Sequence, residues 1–328
     1  MENHSALGDN HRAGGMITMP VDKADHVLSQ LARRKFRFKK ELGQNFLFND
    51  FALRQIVDSA GIKPGDFVVE VGAGAGSLTR AIADKRAKVV AVELDRTLIP
   101  FLNELFRDEP DVRVARGDIM KMDIDTLIAS VFDIDKDADQ PVPYKICANL
   151  PYNISTAFVT RAFRELRRME AGAVLVQKEV ADKITARPGQ ESYGPLSLAA
   201  SWYGEVRQAF DLGPEYFTPA PPVFSTLVTF KRERERFTGV NERILWTIIR
   251  SLFNKRRKTA LSGLRSIKDI SPREGASWAD VLDSAGIDRA RRPETISLDE
   301  FALIAAACAE RDAANAEYGA ASVERDGK

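Results

Sequence analysis

The chain has 328 residues, 44% of them hydrophobic, enough for a full core and more than an ordinary single domain needs. Its formal net charge is only +1, so any affinity for a polyanion must come from local clusters rather than from the surface as a whole. The two cysteines, Cys147 and Cys308, lack metal-ligand spacing and fit a reduced compartment, and the three histidines (His4, His11, His26) all lie near the start, which excludes histidine triads, HExxH zinc sites and histidine general bases from the body of the protein.

Residues 1 to about 30 show no sustained periodicity and read as a mobile extension, with no apolar core of a signal peptide and no run approaching the roughly 18 residues of a membrane span. Six cations and no acid then fall between Leu31 and Lys40: Arg33, Arg34, Lys35, Arg37, Lys39 and Lys40. The apolar face of Phe51–Ala60 predicts a helix stopped by Gly61. After the Pro64-Gly65 turn, Phe67–Val71 is a β-branched run suited to a strand buried on both faces, followed by a glycine loop and a helix. The unit repeats. Strand-like KVVAVEL precedes helical RTLIPFLNELF, VRVARGD precedes a helix ending near Val131, and YKICANL precedes the helix TAFVTRAFRELRRM and the strand AGAVLVQK. Such alternation means a mostly parallel sheet with helices on both faces. EVRQAFDLG and STLVTFKR read as a closing pair of strands, and beyond Arg236 the periodicity is helical in ERILWTIIRSLF, KTALSGL, SWADVLDSAG and SLDEFALIAAACAERDAANA. Arg250–Lys258 adds five cations without an acid.

EVGAGAGS, with Gly72, Gly74 and Gly76, follows a strand and opens a helix, where glycines let backbone approach a ligand. A dinucleotide fingerprint would need glycine at Ser77. GxGxG preceded by an acid, Glu70, is instead the pattern of S-adenosylmethionine (SAM) methyltransferases. Glu93 ends the second strand, 21 residues after Gly72, where a carboxylate can accept both hydroxyls of a ribose. Asp118 ends the third, where an acceptor selects an adenine amine. All three positions fall at the carboxyl edge of an open α/β sheet, which is where ligands bind.

The fourth strand brings NLPY to the same edge. The Asn149 side-chain oxygen and the Leu150 carbonyl can accept the two hydrogens of an adenine amine and bias its nitrogen toward tetrahedral geometry, so positioning and electrostatics replace a base. Pro151 stiffens the loop and Tyr152 offers a face for an extruded base. Cytosine C5 methylation would need a cysteine at this edge, and Cys147 lies inside the strand.

Taken together, LGQNFL, VVEVGAGAGSLT, AVELD, GDIM, NLPYNIST, YGPLS, FTPAPPVFS, LFNKRRKTALSGL and RRPETISLDEF resemble the ribosomal RNA adenine dimethyltransferases, in particular the bacterial small-subunit branch, from about Phe36 to Ala306. The resemblance implies a Rossmann-like SAM-dependent methyltransferase domain of α/β class over residues 36–235 and a small all-α RNA-binding domain over 236–312. A flexible extension with a basic end (1–35) and a polar tail (313–328) flank them. It implies SAM as cofactor, held by Asn45, Leu47, Gly72, Glu93, Asp118 and Asn149, with Gln44 and Asn45 closing over it and no metal. The catalytic and base-holding positions fall on Asn149, Leu150, Pro151, Tyr152 and Phe217. The implied activity is transfer of two methyl groups to each of two adjacent adenines in the 3′ hairpin of small-subunit ribosomal RNA, by a cytoplasmic monomer acting late on an immature 30S particle. Arg33–Lys40 and Lys255–Lys258 would meet RNA phosphates. The chain departs from the family's Lys-Val-Asp-Ser run at Pro222, Val223, Phe224 and Ser225, and the acidic insert Asp133–Gln140 is an addition. Three rival readings stand beside this one: a large-subunit dimethyltransferase conferring macrolide resistance, a non-catalytic RNA-binding factor and NAD-dependent hydride transfer. NKRRKTAL, intact Asn149 and Tyr152, and the missing third fingerprint glycine, respectively, disfavour them.

Overall fold

The β-branched segments picked out above assemble into one sheet in the computed structural model, which describes residues 22–134, 142–233, 237, 239–272 and 275–309. Residues 1–21 of the extension, the whole tail 313–328 and the acidic insert beyond Ile134 lie outside the described residues. The chain divides into two units, residues 1–36 and 37–328. In the first, helix α1 (Asp22–Arg33) occupies part of the segment that the sequence leaves without periodicity. It is closed by Lys35 in a left-handed conformation (φ 57°), with the Phe36 N–H donating back to Leu31 O at 3.0 Å.

In the second unit the order is β1 (Phe46–Leu47), α2 (Asp50–Ser59), β2 (Phe67–Val71), α3 (Ser77–Ala83), β3 (Lys88–Glu93), α4 (Ile99–Leu105), β4 (Val112–Arg116), α5 (Ile124–Val131) and β5 (Tyr144–Asn149). Next come α6 (Ser155–Glu165), β6 (Met169–Gln177), α7 (Lys178–Thr185), α8 (Pro195–Tyr203), β7 (Gly204–Leu212), β8 (Phe217–Thr218) and β9 (Ser225–Arg232). Helices α9 (Glu242–Asn254), α10 (Ala260–Leu264), α11 (Trp278–Ser284) and α12 (Leu298–Ala309) complete it.

The sheet order is β4-β3-β2-β5-β6-β9-β7. The first five strands pair in parallel, and β9 runs antiparallel between β6 and β7. From β2 the chain winds one way to β3 and β4, then returns to place β5 on the other side, so the topological switch lies between β2 and β5. A crevice opens at such a point, outside the carboxyl ends of the strands. Strand β2 is buried along nearly its whole length, as its unbroken apolar run requires.

Local signals fix most element ends. The Asn49 side chain caps α2 by accepting from Ala52 N at 2.8 Å, and Asp123 caps α5 by accepting from Thr126 N at 3.1 Å. Helix α6 stops at Glu165, four residues before the sequence pattern fades, because Met169 is already the first residue of β6. Helices α7 and α8 fill the span between β6 and β7, where the sequence showed no clear element. A single hydrophobic cluster runs from Val69 and Ile146 of the sheet through Phe163, Tyr203 and Trp246 to Phe301 and Ile304 of α12, so the sheet and the C-terminal helices share one core.

Candidate active site

The glycine loop after β2 sits at the switch point because its backbone is tied to β3. Gly72 N donates to Val92 O at 2.9 Å, and Gly74 N donates to Glu93 Oε2 at 2.8 Å. Gly72 and Gly74 have φ of 76° and 54°, in the region that side chains avoid. Space is also short: a Cβ on Gly72 would stand 3.1 Å from the Pro151 ring, and one on Gly74 would stand 3.0 Å from the Phe46 ring. The loop is therefore wedged between NLPY and the segment that runs up to and through β1.

That segment forms a strap across the crevice, fastened on both sides. On the β3 side, Lys39 Nζ donates to Asp95 Oδ1 at 2.6 Å and Gln44 Nε2 to Asp95 Oδ2 at 3.0 Å. On the β5 side, Asn149 Nδ2 donates to Asn45 O at 2.8 Å and Asn153 Nδ2 to Glu41 O at 3.1 Å. The strap continues into β1, which pairs with β8 in a two-residue antiparallel ribbon, Leu47 opposite Phe217.

Asn45, Leu47, Gly72, Glu93, Asp118 and Asn149, the six positions predicted to hold the cofactor, all line one cleft, together with Leu150, Pro151 and Tyr152. Phe217 is the exception. Its side chain is 4% exposed within the ribbon, and the cleft wall is formed by its partner Leu47 instead. Sequence reasoning also passed over Asp95, whose only signal was an acid two residues after Glu93. Lys39 was expected to meet RNA phosphate; its ammonium is instead committed to Asp95.

The acids at this edge have separated charge states. Burial pushes Glu70 up to about 8, against the hydrogen bond from the Thr79 hydroxyl and with the nearby Glu93 adding to the rise. Burial raises Glu93 as well, opposed by the N–H groups of Asp95 and Gly74 that it accepts. Burial would also raise Asp95, but hydrogen bonds from Lys39, Thr97 and Gln44 outweigh it and hold the carboxyl at about 2. One neutral acid, Glu70, thus lies beneath the cleft, and a firmly ionised one, Asp95, anchors the strap.

These residues suit a nucleoside with an attached charged chain. Each Glu93 oxygen accepts one backbone N–H and keeps a second lone pair for a ribose hydroxyl. Asp118, whose Oδ1 accepts Met120 N at 3.0 Å, is a further acceptor in the lining. A Cβ on Gly74 would press on the Phe46 ring and strain a positive φ, reshaping the loop and the β1 wall of the cleft. Gly74→Ala is accordingly expected to weaken binding of SAM, the donor that the glycine pattern implies, at least tenfold by calorimetric titration; unchanged affinity would show that the loop's shape does not govern binding.

Comparison with known proteins decides the family. Residues 35–304 match the family profile described as ribosomal RNA adenine dimethylase. The chain belongs to the ribosomal RNA adenine dimethylase family. Members similar to it include proteins named ribosomal RNA small subunit methyltransferase A from Alkaliphilus metalliredigens (38% identical over 82% of this chain and 91% of that protein) and from Clostridioides difficile (37% identical over 82% and 90%). In fold it is similar to a dimethyladenosine transferase from Plasmodium falciparum, with a TM-score of 0.65 at 21% identity over 79% of this chain and 95% of that one. It is likewise similar to the 23S rRNA methyltransferase ErmE, with a TM-score of 0.57 at 23% identity over 81% and 100%. As a family member the chain is a methyltransferase on a Rossmann-like sheet, as its sequence predicted. Among the described residues no helix is long and apolar enough to cross a membrane.

Proposed function

We propose that this dimethylase transfers methyl groups from SAM to the exocyclic amines of two adjacent adenines in the 3′-terminal hairpin of small-subunit ribosomal RNA. We further propose that it acts as a cytoplasmic monomer, late in assembly, on an immature 30S particle. Family membership supports the reaction, and the small-subunit name of the curated relatives supports the RNA.

The observation that carries the chemistry is the fixed amide of Asn149. Its NH₂ group is taken by Asn45 O at 2.8 Å, which leaves the side-chain oxygen as the acceptor at the cleft. SAM, when bound, supplies an electrophilic methyl group on a sulfonium. Asn45, Leu47, Gly72, Glu93 and Asp118 would hold it beside Asn149. The Asn149 oxygen and Leu150 carbonyl accept the two amine hydrogens, localise the nitrogen lone pair and orient it, and the amine proton leaves to water. Pro151 keeps the loop stiff against the glycine cradle. Tyr152, half-buried and held through its hydroxyl 2.8 Å from Ser225 Oγ, provides the stacking face, and Phe217, enclosed in the ribbon behind Leu47, backs that wall rather than meeting the base.

Residues 36–235 would carry out this chemistry and 236–312 would add RNA contacts. In the second region Lys255, Arg257 and Lys258 are exposed, whereas Arg256 is occupied by Glu191 O at 2.6 Å. The test is mass spectrometry of RNA from immature small subunits of a strain lacking this activity, incubated with protein and SAM. Dimethyladenosine at two adjacent positions near the 3′ end is expected. Methylation confined to other RNA, or none from a protein that binds SAM, would overturn the reading.

A further inference from the structure

Away from the cleft, α6 and α9 bring two arginines to one tryptophan, one over its ring and one on its backbone carbonyl. The Arg164 guanidinium lies over the Trp246 ring, 4.5 Å from its centroid, and Arg250, one turn further along α9, donates from Nε to the Trp246 carbonyl at 3.2 Å. The neighbouring acids are engaged elsewhere. Glu242 is gripped by both of its oxygens by Arg167, at 2.7 and 2.6 Å, and Glu165 lies 3.4 Å from Arg161. Among the described residues, no carboxylate stands within ion-pair distance of Arg164 or Arg250.

Two further donors at this spot lack acceptors. Arg164 Nε and Trp246 Nε1 are both buried without a hydrogen-bond partner among the described residues, and the Trp246 side chain is 4% exposed. A buried donor left unmade is costly, and the two guanidinium groups gathered at one tryptophan repel through their charges. Burial, together with the charge of Arg250, lowers the Arg164 pKa, and the charges of Glu165 and Glu242, each held by another arginine, offset only part of that fall. A water can satisfy an orphan N–H, but only an anion relieves both the donors and the charges. Arg250 is solvent-exposed and Arg164 partly so, so an anion can reach them from outside. The planar guanidinium fork matches phosphate oxygens, and a face stacked on an indole holds that fork in place.

We infer that Arg164 and Arg250, arranged around Trp246 at the junction of the sheet layer and the C-terminal helices, form a phosphate clamp for one backbone phosphodiester of the RNA. The clamp rests on the proposed function only for the identity of that RNA. It is separate from the exposed Lys255–Lys258 run because Arg164 comes from α6, so an RNA strand held there touches both halves of the second unit at once. The contact reads no base, and it therefore acts on any RNA long enough to reach it.

The test measures binding of immature small subunits, and separately of an RNA hairpin of unrelated sequence, to wild type, Arg164→Gln and Arg250→Gln across a range of salt. Each variant is expected to bind both RNAs several-fold more weakly and to reduce the slope of log affinity against log salt by about one, with SAM affinity unchanged. Arg250→Gln, at an exposed position, guards against misfolding of the more buried Arg164 variant, and Arg164→Lys should restore the slope but only part of the affinity, having charge without the fork. Affinity and slope unchanged in both glutamine variants would overturn the clamp. So would stabilisation of wild type, but not of Arg164→Gln, by inorganic phosphate with no change in RNA binding, which would mark a free-anion site. The hairpin arm reports on the clamp even if small subunits prove not to be the substrate.

Discussion

Asn149→Ala is expected to lower methyl transfer by roughly 10²–10³-fold while the protein stays folded and still binds SAM, the scale seen when one preorganised hydrogen-bonding group is removed from a reacting centre. The side chain has two uses at once. Its NH₂ end holds Asn45 O of the strap at 2.8 Å, and its oxygen is the acceptor that the amine would meet. Losing the first use loosens one of several fastenings, since Asn153 to Glu41 and Lys39 and Gln44 to Asp95 remain. A modest fall in cofactor affinity is therefore compatible with the proposal. Losing the second removes an interaction that matters only as the nitrogen becomes tetrahedral, so kcat should fall with little change in KM for RNA. Single-turnover transfer of labelled methyl, beside calorimetric titration of SAM, separates the two. Transfer within about twofold of wild type would end the role assigned to Asn149.

Glu70→Gln should make the protein more stable at pH 8–9 and leave it nearly unchanged near pH 4.5. Burial holds the folded-state carboxyl at about 8, while the unfolded chain ionises near the ordinary 4.5. The stabilising contribution of a neutral Glu70 is therefore fully present below about 4.5 and lost as pH rises through about 8, because only the unfolded state gains by releasing the proton over that window. The total loss is of order 5 kcal/mol, a large share of the stability of an average domain. Glutamine keeps an oxygen to accept from Thr79, and so keeps the link between the end of β2 and α3, without a proton to lose. Thermal unfolding of both proteins across pH 4.5–9 should show curves that diverge upward for the variant. Parallel curves would mean that Glu70 ionises normally.

Strands β2, β3 and β9 were legible almost to the residue because a fully buried strand needs a continuous β-branched run and both ends carry turn signals. The carboxyl-edge residues followed from counting along those strands. What the sequence hid depends on partners far away along the chain. Lys39 in a run of six cations looked like a phosphate ligand, and only the approach of Asp95, 56 residues on, converts it into a strap anchor. Phe217 looked like an open aromatic face until its pairing with Leu47 placed it inside the ribbon. Helix α8 was overlooked because much of it is buried, so its sequence carries too little polar contrast to display a period; α7 is amphipathic but follows β6 directly at Lys178, with no turn residue to mark its start. Arg164 and Trp246, 82 positions apart, gave no joint signal at all.

The β1–β8 ribbon joins the two sides of the reaction centre at a single register position, Leu47 on the cleft wall and Phe217 behind it. Whatever moves one strand moves the other, so if the cofactor and the RNA bind as proposed, occupancy of the two sides is linked, each altering the other's affinity by the same factor. Four methyl groups on two adenines would require four cofactor exchanges. An enzyme with this ribbon therefore faces a choice at every cycle between holding its RNA and refreshing its methyl donor, and the sign of that linkage determines whether it works processively or lets go after each step.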